Sequence, residues 1–179
     1  MTASDNNTIY VMVRADCEAT GHSVADAALG RRAVTGMADI CATESIPLTL
    51  YVIPTDLEAD PSLYCDAAGQ GHEIGLHIHP ADQGYGEFLG LYGPDLQREI
   101  LCQAADRFAQ VMGHRPLSLC IGYSSANDYT YPVAVELGFK HGKISCPARV
   151  LPECASVWAG APQDIHYAHA YNRLVPGTL

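Results

Sequence analysis

Along this chain, short and nearly continuous apolar runs alternate with longer stretches whose apolar residues recur every three or four positions. The first kind reads as strands buried on both faces, the second as amphipathic helices. Residues 8–15 (TIYVMVRA), 46–53 (IPLTLYVI), 72–79 (HEIGLHIH) and 117–122 (LSLCIG) predict four strands, and a short fifth falls near 140–145. A helix over 24–44 is predicted with Leu29, Ala33, Met37, Ile40 and Cys41 on its buried face, and a short, broken one over 56–69 after Pro54. The clearest helix starts at Pro94, repeats Leu96, Ile100, Ala104 and Phe108 every four residues, and stops at Gly113. Asn127 can cap a further helix running to Gly138. The rest, rich in Pro, Ala, His and Tyr, reads as irregular. This order predicts an α/β fold with a parallel sheet or barrel, its chemistry at the C-terminal ends of the strands.

Polar residues gather at those ends. Asp16 and Glu18 end the first strand and, two apart, share a face. His77 and His79 share a face at the end of the third. Two carboxylates and two imidazoles suit a divalent metal, Zn²⁺ first among them, or one ligand with one general base. Bound imidazoles must be neutral, so occupancy is expected to fall below about pH 6.5. After the fourth strand, Gly122, Tyr123, Ser124 and Asn127 offer backbone N–H groups and small polar side chains for an oxyanion or substrate. His166 and His169, three apart, would share a face on a helix or, in a loop, contact substrate or solvent. Within the loop 81–93, the stretch from Gly84 to Gly93 carries Gly84, Gly86, Gly90 and Gly93 among Tyr85, Phe88 and Tyr92, the pattern of a lid that moves over the pocket or of a static loop packing its own aromatics.

Composition narrows the classes. The chain has 179 residues and a formal net charge of -10, from 20 acidic against 10 basic side chains, only two of them lysines. A generic nucleic-acid binder needs a basic surface, and none is available here. No apolar stretch is long enough for a transmembrane helix, and the N-terminal residues lack the pattern of a signal peptide. Seven scattered cysteines without CxxC fit reduced thiols in the cytoplasm. No GxSxG is present, which disfavours a serine hydrolase.

With these motifs in order, the chain resembles the polysaccharide deacetylases, the NodB-homology carbohydrate esterases. GHEIGLHIHP (71–80) resembles the family's GHEIG-x-H segment. The stretch from Pro94 to Phe139 is similar to its long helix, strand and G-x-S-A-N-D turn. The resemblance implies one deacetylase-like domain over 1–179, a distorted (β/α) barrel that binds a divalent metal and hydrolyses N-acetyl groups of amino sugars. It implies Asp16 as general base, and Glu18, His77 and His79 as metal ligands. Backbone N–H near Tyr123 and Ser124 would hold the oxyanion. The substrate expected is a small molecule or oligosaccharide; neither nucleic acid nor a membrane is expected as partner.

The pattern departs from the family at three places. The acidic pair is D-x-E, so Asp16 and Glu18 could exchange roles. Ala81 stands where the second histidine is usual, which leaves His79 as its substitute. Cys120 replaces an arginine that braces the aspartate, and Arg14 is the nearest cation to take its place. The family also continues through two more strands, one bearing the acid histidine. That leaves an incomplete barrel, a shortened chain, or His166 or His169 in the role. Two other readings stay open: a degenerate sugar-binding domain, and an HxH amidohydrolase of non-sugar amides.

Overall fold

The structure, a computed structural model, describes residues 11–18 and 26–179. Five parallel strands form one sheet in the order of the chain: β1 (Val13–Cys17), β2 (Leu48–Val52), β3 (Glu73–Ile78), β4 (Ser118–Ile121) and β5 (His141–Lys143). The helices that connect them are α1 (Ala27–Thr43), α2 (Pro54–Ala59), α3 (Pro61–Gly69), α4 (Pro94–Met112) and α5 (Thr130–Glu136). The sheet is strongly curled. In a flat sheet β1 and β4 would lie about 14 Å apart, three intervals of about 4.8 Å. Here Cys120 Sγ on β4 reaches Asp16 Oδ1 on β1 at 3.7 Å. The sheet is therefore the curved wall of an open barrel, with its concave side at the site.

Strands β2, β3 and β4 are almost wholly buried, as their unbroken apolar sequences require. Helix α4 covers the sheet with Ile100, Leu101, Ala104, Ala105 and Phe108; Pro94 opens it, and Gly113 closes it in the left-handed conformation (φ 77°). No helix among the described residues is long and apolar enough to cross a membrane.

Several expectations are corrected. Residues 8–10 lie outside the described residues, and β1 extends to Cys17, so Asp16 sits inside the strand. Two helices replace the broken one, because Pro54 and Pro61 each start their own. On α1, Cys41 is buried as expected, but it is joined by Val34 and Ala38, one residue round from Ala33 and Met37; Leu29, Met37 and Ile40 are 47%, 38% and 65% exposed, and Ala33 is exposed too. Both stripes are apolar, so periodicity could not choose between them. Beyond β5, a two-stranded antiparallel hairpin forms from β6 (Val150–Leu151) and β7 (Ser156–Val157). It delivers the buried Trp158, whose Nε1 donates to the Ser124 carbonyl at 2.8 Å.

Asn127 does not cap α5, whose N-cap is Tyr129. Its amide instead clamps two loops: Nδ2 donates to the carbonyls of Gly90 (2.9 Å) and Tyr92 (2.8 Å), and Oδ1 accepts from Gln97 Nε2 (2.9 Å) and Tyr129 N (3.0 Å). Truncation would leave half-buried carbonyls and amides unpaired, so Asn127→Ala is expected to lower stability by about 2–4 kcal/mol in urea titration. A change under about 0.5 kcal/mol, the range of an ordinary surface site, would contradict the clamp.

Candidate active site

Strand alternation places Arg14, Asp16 and Glu18 on the concave side of the sheet, and the same parity brings His77 and His79 from β3 and its end. Glu18 Oε2 lies 3.1 Å from His77 Nε2 and 2.5 Å from His79 Nε2, and the two ring nitrogens are 3.1 Å apart. Three donor atoms thus converge on one point. Hydrogen bonding from His77, against partial burial and with the charge of His79, holds Glu18 well below the usual carboxylate range, at about 2. Burial works against charge on His79, but Glu87 and Glu18 outweigh it and raise its pKa. Glu87 Oε1 accepts from His79 Nδ1 and so fixes the direction of the ring. Space for that ring exists because residue 122 is glycine: a Cβ there would stand 2.4–2.7 Å from three His79 ring atoms.

Asp16 has different company. Arg14 Nη1 donates to its Oδ1, and the Cys120 thiol does the same at 3.7 Å. Asp16, His77 and Cys120 also present donor atoms within 4.8 Å of one another. Burial, reinforced by Asp16, pushes the Cys120 thiol up to about 12, so without a metal it stays protonated. Glu18, His77 and His79, one carboxylate and two imidazoles within 3.1 Å of one another, are the tighter set and suit a divalent ion of borderline softness. Asp16 is left beside it, held by a cation.

The β4 loop forms the adjoining wall. Tyr123 and Ser124 both adopt left-handed backbone (φ 57° and 52°), a strained conformation for two successive residues with side chains. It is kept by Trp158 on the Ser124 carbonyl, by Arg149 Nη1 on the Tyr123 carbonyl (2.9 Å) and by Lys143 Nζ on Ser124 Oγ (2.9 Å). Tyr123 is half exposed, stacked edge-on between His79 and Phe88 at ring distances of 5.7 and 5.3 Å. Tyr123, Ser124, Lys143 and Arg149 line, with Asp16, Glu18, His77 and His79, an open pocket of about 730 Å³.

Of the residues expected from sequence, Asp16, Glu18, His77, His79, Tyr123 and Ser124 meet in this pocket. Asn127, His166 and His169 do not line it. His166 Nδ1 lies 2.8 Å from the Asp164 carbonyl, and His169 Nδ1 accepts from Tyr171 N, both in the tail. In this structure the loop expected as a lid is held at three points: Gly90 N donates to Ser125 Oγ, Gly86 N to the Tyr92 hydroxyl, and Leu89 is fully buried. Two of its glycines serve close approach: a Cβ on Gly86 would stand 2.8 Å from the Tyr92 hydroxyl, and one on Gly90 2.7 Å from the Ala126 nitrogen, whereas Gly84 turns the chain at φ 83°. Glu87, Lys143 and Arg149 were not singled out by the sequence. Glu87 lies eight residues beyond His79, and its pairing depends on how the loop turns back.

The five parallel strands thus form the wall of an open (β/α) barrel, with Asp16, Glu18, His77 and His79 together at one end of it. Residues 24–142 match the family described as polysaccharide deacetylase, and the chain belongs to it. No curated protein sequence matches. Among solved structures it is similar to a mutant of a family 4 carbohydrate esterase pseudoenzyme from Bacillus anthracis whose enzymatic activity was restored: 13% identity, TM-score 0.59, 76% of this chain and 44% of that one. A protein from Mycobacterium smegmatis assigned to the polysaccharide deacetylases gives 21%, 0.60, 75% and 50%. The peptidoglycan deacetylase PdaC from Bacillus subtilis gives 16%, 0.53, 90% and 64%. The chain spans about half the length of the first two. At these identities the likeness shows the fold.

Proposed function

We propose that the protein is a metal-dependent hydrolase that removes an acetyl or similar acyl group from the nitrogen of an amino sugar or sugar conjugate. The observation that carries this reading is the division of labour at the strand ends: Glu18 joins His77 and His79, while Asp16 stands apart on Arg14. Glu18, His77 and His79 would hold a divalent ion, Zn²⁺ by its donor chemistry, which when bound supplies a Lewis acid for the acyl carbonyl and makes water more acidic. Asp16, oriented by Arg14, takes the proton of the water that attacks the acyl carbon. Backbone N–H groups of the left-handed Tyr123–Ser124 turn face the developing oxyanion. With His166 and His169 off the pocket, the proton taken up by Asp16 is the one at hand for the leaving amine. The C–N bond breaks, and free amine and carboxylate leave.

A second reading, a sugar-binding domain without turnover, is favoured by one feature: Cys120 in place of the bracing arginine, in a family that includes the pseudoenzyme named above. Arg14 on Asp16 argues against it. Acetate release from free, nucleotide-linked and oligomeric N-acetylated amino sugars, with and without supplied divalent metal, separates the two. Metal-dependent release is expected and should vanish with a chelator. Binding of those sugars with no release under any metal would overturn the hydrolase.

A further inference from the structure

We infer that the pocket takes a substrate bearing an anionic group, a carboxylate or a phosphate, and that Lys143 and Arg149 receive it. The acyl chemistry rests on the function proposed above; the anion site does not. Among the described residues, seven of the ten Lys and Arg side chains are in ion pairs with carboxylates. Of the other three, Lys140 is exposed and off the pocket, while Lys143 and Arg149 are both half-buried in its wall. In a chain of net charge -10, acidic partners are abundant, yet the only hydrogen bonds these two cations make among the described residues are to the Ser124 hydroxyl and the Tyr123 carbonyl.

Those neutral partners orient the cations without cancelling their charge. They also hold them on consecutive residues of the loop that touches His79, so both charges stand beside the place where the acyl group must lie. A guanidinium fork next to an ammonium suits a carboxylate or phosphate, the fork giving direction and the ammonium a second charge. Of the pocket's four carboxylates, Asp16 is taken up by Arg14, Glu18 by His77 and His79, and Glu87 by His79, while Asp82 adds to the negative charge felt by Arg107. The site is therefore divided into an acid–imidazole part and a cationic part.

The test compares N-acetylglucosamine, its 6-phosphate and its lactyl ether (N-acetylmuramic acid) as substrates, with metal supplied, for the wild type and the Lys143→Gln/Arg149→Gln double variant. In the wild type a charged sugar is expected to exceed the neutral one in kcat/KM by at least about tenfold, through KM, and the advantage should shrink with added salt. The double variant should bring the ratio close to one, whereas Lys143→Arg and Arg149→Lys, which keep the charge and guard against misfolding, should retain most of it. Which charged sugar gains separates phosphate from carboxylate. Equal handling of neutral and charged sugars by the wild type overturns the anion site and leaves the hydrolase standing. So does a double variant that loses all three substrates in proportion, the mark of a purely structural role. If nothing is hydrolysed, calorimetric titration with the same sugars decides. Charged-sugar binding that the double variant loses upholds the anion site while the hydrolase falls; no charged-sugar binding overturns the anion site as well.

Discussion

Asp16→Asn is expected to lower kcat for acyl release by about 10²–10⁴-fold, the usual contribution of a general base, while bound metal stays near the wild-type amount. The amide is nearly the same shape as the carboxylate and can still contact Arg14, but it cannot take a proton. Asp16 is outside the Glu18–His77–His79 convergence, so its loss spares the ion. The two readouts, steady-state kinetics and elemental analysis, must diverge. If the variant loses metal along with activity, Asp16 is a ligand and the assignment of Asp16 and Glu18 has to be exchanged.

The second large effect concerns His77 and the glycine behind His79. His77→Ala is expected to abolish stoichiometric divalent metal in purified protein. Gly122→Ala, which puts a methyl group within 2.4–2.7 Å of the His79 ring, should weaken affinity by about 10–100-fold without removing any ligand. pH supplies an independent check. His79 has a raised pKa, so its charged form stabilises the metal-free fold at acid pH, and that contribution is lost as pH rises through the raised value. An ion competes with that proton. Metal affinity should therefore climb with pH through a midpoint above the ordinary histidine value of about 6.5, rather than at it. Glu18, at about 2, stays ionised throughout and adds no step. Wild-type metal content in His77→Ala would remove the site from β3.

Much of this was legible without coordinates, for definite reasons. β2, β3 and β4 are buried on both faces and so spell themselves as apolar runs, and α4 carries a proline start, a glycine stop and a four-residue repeat. Parity along a strand is a short-range property, which is why Asp16 with Glu18 and His77 with His79 could be paired on sight. What could not be read were contacts between segments distant in sequence. Glu87 reaches His79 from a loop, Arg149 reaches Tyr123 across 26 residues, and Trp158 reaches Ser124 across 34. Asn127 looked like a cap because its neighbours allow one; the carbonyls that claim its amide come from residues 90 and 92. The face of α1 was ambiguous for another reason, since it offers two apolar stripes and only the packing selects one.

The curled sheet has a consequence for how such a protein fails. Arg14, Asp16 and Glu18 all ride on β1 or its immediate end, and among the described residues β1 is an outermost strand hydrogen-bonded only to β2. Side chains alternate, so a slip of one residue in that single ladder would turn Arg14, Asp16 and Glu18 outward together. The well-anchored interior of β2, β3 and α4 would hardly notice. Outer strands open at lower free energy than the body of a domain. The pocket's acidic side thus hangs on the margin of the molecule, and under the proposed function loss of activity is expected before loss of fold.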